Sequence, residues 1–129
     1  MKKVEWRIAA ARGATTTEED TAVEISERTT ELLETMIERN GIAQEDIVSI
    51  IFTATPDLVS EFPAVAARGI GLSHVPLLCS QEIPVRGSVE RCIRVLMHVY
   101  TKRNTGRRDE DIRHVYLRGA KQLRTDLPE

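Results

Sequence analysis

The stretch Cys92-Ile93-Arg94-Val95-Leu96-Met97-His98-Val99-Tyr100 constrains this chain more than any other. Its residues alternate with the period of a half-buried strand. One of its side chains is a guanidinium. A strand that presents Arg94 from a mostly apolar face needs an anion to meet it, because an unpaired buried charge is strongly destabilising. That anion is either an Asp or Glu elsewhere in the fold or an anionic ligand. Periodicity leaves both open.

The remaining elements follow from pattern. Residues 4–12 alternate as well, with Val4, Trp6, Ile8 and Ala10 on one face, and predict the first strand. Gly13 to Thr17 reads as a turn. Thr17, followed by Glu18, Glu19 and Asp20, reads as a helix start, with a capping hydroxyl and acids at the positive helix end. Ile25, Thr29, Leu32, Leu33, Met36 and Ile37 form a stripe at helical spacing, so the helix runs to about Arg39. Asn40-Gly41 ends it with a left-handed cap. Residues 47–54 predict a second strand, and Ile50-Ile51-Phe52 suggests burial on both faces. Phe62-Pro63 opens a short helical turn through Arg68. Residues 75–79, 92–101 and 112–117 predict three more strands, with a possible helical turn over 87–90. The expected class is α+β: a mixed sheet of about five strands, one long helix and short helical turns, in one domain spanning residues 1–129. The helix covers one sheet face. The other face also carries apolar residues and predicts packing against another subunit.

Bulk properties exclude several functions. The 129 residues carry a net charge of -2, without the basic excess of a nucleic-acid or membrane-surface protein. Aromatic residues are too few for base-stacking platforms. No apolar run reaches the roughly 18 residues of a membrane helix, and the first residues lack the apolar core of a signal peptide. Cys79 and Cys92 lie in apolar runs, which suits reduced, packed thiols in a cytoplasmic protein. His74, His98 and His114 show no metal-ligand spacing, so no metal is expected. There is no phosphate loop and no nucleophile elbow. Glu82, three residues after Cys79, sits at a strand end where a carboxylate can point into a cleft. Lys102, Arg103, Arg107 and Arg108 form a basic loop that reads most simply as a solvated face.

Several segments together carry a resemblance. They are Arg12-Gly13-Ala14-Thr15-Thr16 before an acidic helix start, and Thr53-Ala54-Thr55-Pro56-Asp57-Leu58 followed by Phe62-Pro63-Ala64 and Ala67-Arg68. Val75-Pro76-Leu77-Leu78-Cys79 with Gln81-Glu82, Cys92-Ile93-Arg94-Val95 and Arg113-His114-Val115-Tyr116-Leu117 complete the set, with Leu123-Arg124 and Asp126-Leu127 at the end. In order and spacing they resemble the monofunctional, trimeric chorismate mutases of the Bacillus type, over residues 12–127.

The resemblance implies a homotrimer with a sheet-lined centre and active sites in clefts between subunits. It implies the Claisen rearrangement of chorismate to prephenate, at the entry to phenylalanine and tyrosine synthesis, with no cofactor. By the same match Arg94 stabilises charge on the breaking ether oxygen. Arg12 clamps the enolpyruvyl carboxylate, helped by the Tyr116 hydroxyl. Glu82 accepts the ring hydroxyl, with Cys79 beside it. Phe62, Ala64, Leu78 and Leu123 are apolar walls, and Arg68 sits near the cleft mouth. Val65 stands where the pattern often has a lysine near the ring carboxylate, so Arg68 or Arg124 could serve instead. The segment between Arg68 and Val75 is shorter than the pattern, while the basic loop and the N-terminus are longer. Thr125 stands where the pattern has a proline. Two other uses compete: a related trimer such as the enamine/imine deaminases, and a non-catalytic anion-binding module in which Arg94 merely pairs with Glu82.

Overall fold

The computed structural model describes residues 5–102 and 111–123. Val4, the basic-loop residues Arg103, Arg107 and Arg108, and Arg124 to Leu127 lie outside them.

The chain runs β1 (Trp6–Thr16), α1 (Ala22–Asn40), β2 (Ile47–Ala54), α2 (Ala64–Gly69), β3 (Leu77–Gln81), β4 (Cys92–Lys102) and β5 (Val115–Tyr116). The strands form one mixed sheet in the order β3-β2-β4-β1-β5. β4 is its spine, antiparallel to β1 on one side and to β2 on the other. β3 and β5 join the outer edges in parallel.

Alternation divides the sheet cleanly. Ile93, Val95, Met97 and Val99 of β4 point to the helix side, as do Ile50 and Phe52 of β2, and all are buried. Leu32, Leu33 and Met36 of α1 pack with these except Ile93, which packs with Ile25. α1 comes so close to β1 at Gly13 that an added Cβ would lie 2.5 Å from Met36 Sδ. The other face carries Trp6, Ile8, Leu78 and Tyr100, all exposed. Ile51 is only partly buried there, so β2 is fully covered on one side rather than two.

Several elements depart from the expectations. α1 starts four residues later than Thr17, with Thr21 as its cap: Thr21 Oγ1 accepts the Glu24 amide at 3.1 Å. Thr17 instead donates its amide to Arg91 O at 2.9 Å, which ties it to the start of β4. Glu24 reaches back to the amides of Glu19 and Glu18, and these bonds hold its carboxyl below its ordinary value. β1 does not stop at Arg12 but continues to Thr16, because Gly13 to Thr16 find ladder partners in β4. β3 is shifted to Leu77–Gln81, residues 87–90 form no helix, and β5 shrinks from 112–117 to two residues. The neighbours of β5 explain the last change. Asn40, buried at the end of α1, accepts the Arg113 amide at 2.7 Å and donates to the Arg113 carbonyl at 2.9 Å. A side chain therefore takes the place of a strand at that position. The helix end itself is a Schellman cap, with Gly41 left-handed at φ 59 and the Ile42 amide on the Ile37 carbonyl.

After β5 the chain turns back as a 3₁₀ segment, Arg118–Leu123, over one end of the open face. Ala120 packs there with Ala14 and Cys92 in a small second core. Among the described residues, no helix is long and apolar enough to cross a membrane.

Candidate active site

The ladder registers line up one row of side chains across all five strands. Ser80 of β3 pairs with Thr53 of β2, Thr53 with Arg94 of β4, Arg94 with Ala14 of β1, and Ala14 with Tyr116 of β5. The next row along brings Leu78, Ile51, Leu96 and Arg12 together in the same way. Both rows lie on the open face. Ala14 leaves a gap between Arg94 and Tyr116 that a larger side chain would fill. The 3₁₀ segment walls off one end with Leu123. The result is a cavity of about 350 Å³ lined by Arg12, Thr53, Glu82, Arg94, Tyr116 and Leu123 among others.

Arg94 thus belongs to the open face and not to the apolar one. Its side chain is 46% exposed, and Glu82 meets its Nε at 3.4 Å. Glu82 begins just past β3, where its amide bonds Ala54 O at 2.9 Å, and its side chain also accepts a hydrogen bond from the Thr53 hydroxyl. Arg12 holds its backbone in place by donating its amide to His114 Nδ1 at 3.0 Å. That bond fixes the ring with Nδ1 bare of its proton. Two guanidinium groups against one carboxylate leave the cavity with a positive excess, suited to a ligand of more than one negative charge.

Loops brace the start of β4. Arg91, just before it, is left-handed at φ 47. Its amide donates to the Asp57 carboxylate at 3.0 Å, and the next amide, of Cys92, donates to Thr55 Oγ1 at 2.9 Å. Asp57 in turn accepts the Thr55 hydroxyl at 2.5 Å. The guanidinium two residues on is therefore anchored to the loop that follows β2. The Cys92 thiol is buried beside it, and burial pushes its pKa up, so it is a packed neutral group.

The other expected site residues are elsewhere. Phe62 and Cys79 line a second cavity of about 360 Å³, with Thr55, Leu58 and Gln81, where β2 and β3 end. Cys79 is not in the cavity of Glu82: strand alternation turns it toward the core side, where it packs against the main cluster. Leu78 is exposed on the open face. Ala64 is buried in the core at the start of α2, facing neither cavity. Val65 is half-buried and Arg68 exposed on α2, and neither lines a cavity named here. Ala14, Ile51, Thr53 and Leu96 are among the lining residues that sequence reasoning did not single out, and Thr53 is the polar one of these. Its signal was its pairing with Arg94, which only the sheet register reveals.

Known proteins resemble this chain over most of its length. The profile of the family described as "Chorismate mutase type I" matches residues 8–127. The chain is 50% identical over 121 residues to the "Chorismate mutase AroH" of Thermus thermophilus, covering 93% of this chain and 96% of that protein. It is 46% identical over 121 residues to that of Bacillus subtilis (strain 168), covering 93% and 92%. A solved chorismate mutase from Clostridium thermocellum matches with a TM-score of 0.82 at 54% identity, covering 88% of this chain and 98% of that one. A profile match across nearly the whole chain, relatives near half identity and a shared five-stranded fold lead to one conclusion: the chain belongs to the type I chorismate mutase family and is a chorismate mutase.

Proposed function

We propose that chorismate rearranges to prephenate in the cavity between Arg12, Glu82, Arg94 and Tyr116. The observation that carries this reading is the gathering of Arg12, Glu82, Arg94 and Tyr116 around one cavity. Glu82 Oε2 lies 3.4 Å from Arg94 Nε, and in this reading the terminal N–H groups serve the ligand.

The rearrangement is unimolecular and needs no nucleophile, proton transfer or cofactor. The ether C–O bond breaks ahead of C–C bond formation, so negative charge grows on the ether oxygen. Terminal nitrogens of Arg94 placed at that oxygen stabilise charge present only in the transition state. The guanidinium fork reaches a carboxylate oxygen as well. Arg12 binds the enolpyruvyl carboxylate with help from the Tyr116 hydroxyl, and the free oxygen of Glu82 accepts the ring hydroxyl. Held in this way, the substrate is kept in the pseudo-diaxial form in which its reacting carbons meet.

The whole chain, residues 1–129, acts as one domain and assembles as a cytoplasmic homotrimer. Exposed Trp6, Ile8, Leu78 and Tyr100 on the open sheet face support that assembly. The cavity with Phe62 and Cys79 then completes the Arg94 cavity of a neighbouring subunit, and Arg68 or Arg124 holds the ring carboxylate in place of the family's lysine at position 65. In cells the product feeds phenylalanine and tyrosine synthesis.

The test is the loss of chorismate ultraviolet absorbance in wild type, Arg94→Ala and Arg94→Lys. Removing one preorganised donor of this kind costs roughly 3–4 kcal/mol, or 10²–10³ in kcat. Arg94→Lys fails nearly as badly, because a point charge cannot copy the fork. Normal turnover by Arg94→Ala removes the mechanism. Light scattering on a sizing column reads the trimer directly.

A further inference from the structure

Thr53 stands at the centre of the side-chain row, paired with Arg94 on one side and Ser80 on the other. It lines the same cavity as Arg12, Glu82 and Arg94. Its hydroxyl donates to Glu82 Oε2, and that same oxygen meets Arg94 Nε.

A carboxylate beside an arginine prefers a two-point fork, with both oxygens on two parallel N–H groups. Glu82 does not make that fork. Its Oε2 accepts the Thr53 hydroxyl and lies 3.4 Å from Nε, without the pair of parallel hydrogen bonds that a fork would make. The Glu82 backbone is fixed by its bond to Ala54 O, so the side chain alone is free to choose. We propose that Thr53 is a positioning residue: its hydroxyl holds Glu82 on Nε of Arg94 and so keeps the terminal nitrogens of Arg94, and the second oxygen of Glu82, available to chorismate. This rests on the reading of Arg94 and Glu82 given above.

Without the hydroxyl, Glu82 turns toward the terminal nitrogens and blunts the charge they present to the ether oxygen as its bond breaks. The cost falls on kcat more than on KM, because the charge that those nitrogens meet appears only on the way to the transition state. Valine is the appropriate probe. It keeps the β-branched shape and the strand preference of threonine and removes only the hydroxyl.

Steady-state kinetics and thermal melting on Thr53→Val, Thr53→Ser, Glu82→Gln and the double variant Thr53→Val/Glu82→Gln test the inference. A hydrogen bond to a charged group predicts about a tenfold fall in kcat for Thr53→Val, with KM within about twofold. Thr53→Ser restores most of the rate. In the Glu82→Gln background, Thr53→Val adds less than about twofold, because the two residues act as one unit. Wild-type kcat in Thr53→Val overturns the inference, and so does full additivity in the double variant. If Thr53→Val folds poorly, Thr53→Ala against Thr53→Ser gives the same comparison. An inactive Arg94→Ala beside an unaffected Thr53→Val overturns this inference alone. An active Arg94→Ala overturns the functional reading beneath it.

Discussion

On the helix side of the sheet, Phe52, Ile93, Val95, Met97 and Val99 are at most 3% exposed. One residue along the same strands, the open side carries Thr53, Arg94, Leu96 and His98, with Arg12 and Tyr116 beside them. The two faces share a backbone and differ in what fixes their side chains. Packing fixes the first, where each group is held by contact on all sides. Polar contacts fix the second: Thr53 donates to Glu82, Glu82 pairs with Arg94, and the Arg12 amide donates to His114. The difference teaches why one sheet serves both purposes. The packed face makes β2 and β4 rigid, and rigid strands let single side chains on the other face hold a position to within a fraction of an ångström.

The comparison breaks most plainly if substitutions cross over. Phe52→Ala should cost about 3–5 kcal/mol of stability by leaving a cavity under the sheet, measured by denaturant unfolding. Arg94→Ala, on the open face, should leave unfolding nearly unchanged while abolishing turnover. A large stability loss in the second variant would show that the faces are not separable. Gly13→Ala comes next. Its methyl meets Met36 Sδ at 2.5 Å, and overpacking of this kind costs about 1–3 kcal/mol. It should lower the melting temperature, and its effect should shrink when Met36 is also shortened. His114→Ala removes the acceptor for the Arg12 amide, a bond worth about 1 kcal/mol, so KM should rise about fivefold. His114→Asn supplies an oxygen near the Nδ1 position and should restore it.

The smallest effect is outside both faces. Arg118 Nε bonds Glu31 Oε1 at 2.9 Å, and that bond holds the Glu31 carboxyl below the ordinary 4.5. A depressed folded-state value adds stability above the unfolded value, lost as pH falls through the folded one. Both side chains are 41% exposed, so solvent screening leaves only a few tenths of a kcal/mol. Glu31→Gln should therefore melt slightly lower than wild type at neutral pH, and the gap should close as pH falls and Glu31 takes up its proton.

How far the sequence revealed this arrangement depended on where the stabilising partners lie. β4 and the body of α1 are bound by their own periodicity, and their pattern shows them directly. The helix start misled because Thr17 and Thr21 both precede acids. The informative spacing was Thr21 to Glu24, the threonine-x-x-glutamate box, while Thr17 was already committed to Arg91. The length of β5 was illegible because Asn40, 73 positions away, replaces the missing strand pairing at Arg113. For the site, resemblance supplied Arg12, Glu82, Arg94 and Tyr116, which the structure gathers in one cavity with Leu123. The sequence did not separate these from Phe62 and Cys79, which line another, or from Ala64, which lies in the core. Nor could it show Thr53, whose importance comes from sitting opposite Arg94 on a neighbouring strand.

A strand of two residues makes a short zipper. β5 is laddered to β1 over Gly13 and Ala14 alone, with the Leu117 amide on Ala14 O at 2.9 Å and the Gly119 amide on Thr16 Oγ1 at 2.9 Å just after it. Amide deuteration should therefore reach residues 115–123 well before it reaches β2 or β4. Tyr116 and Leu123 stand on that margin, so such a result would make one wall of the pocket a shutter set against a fixed frame.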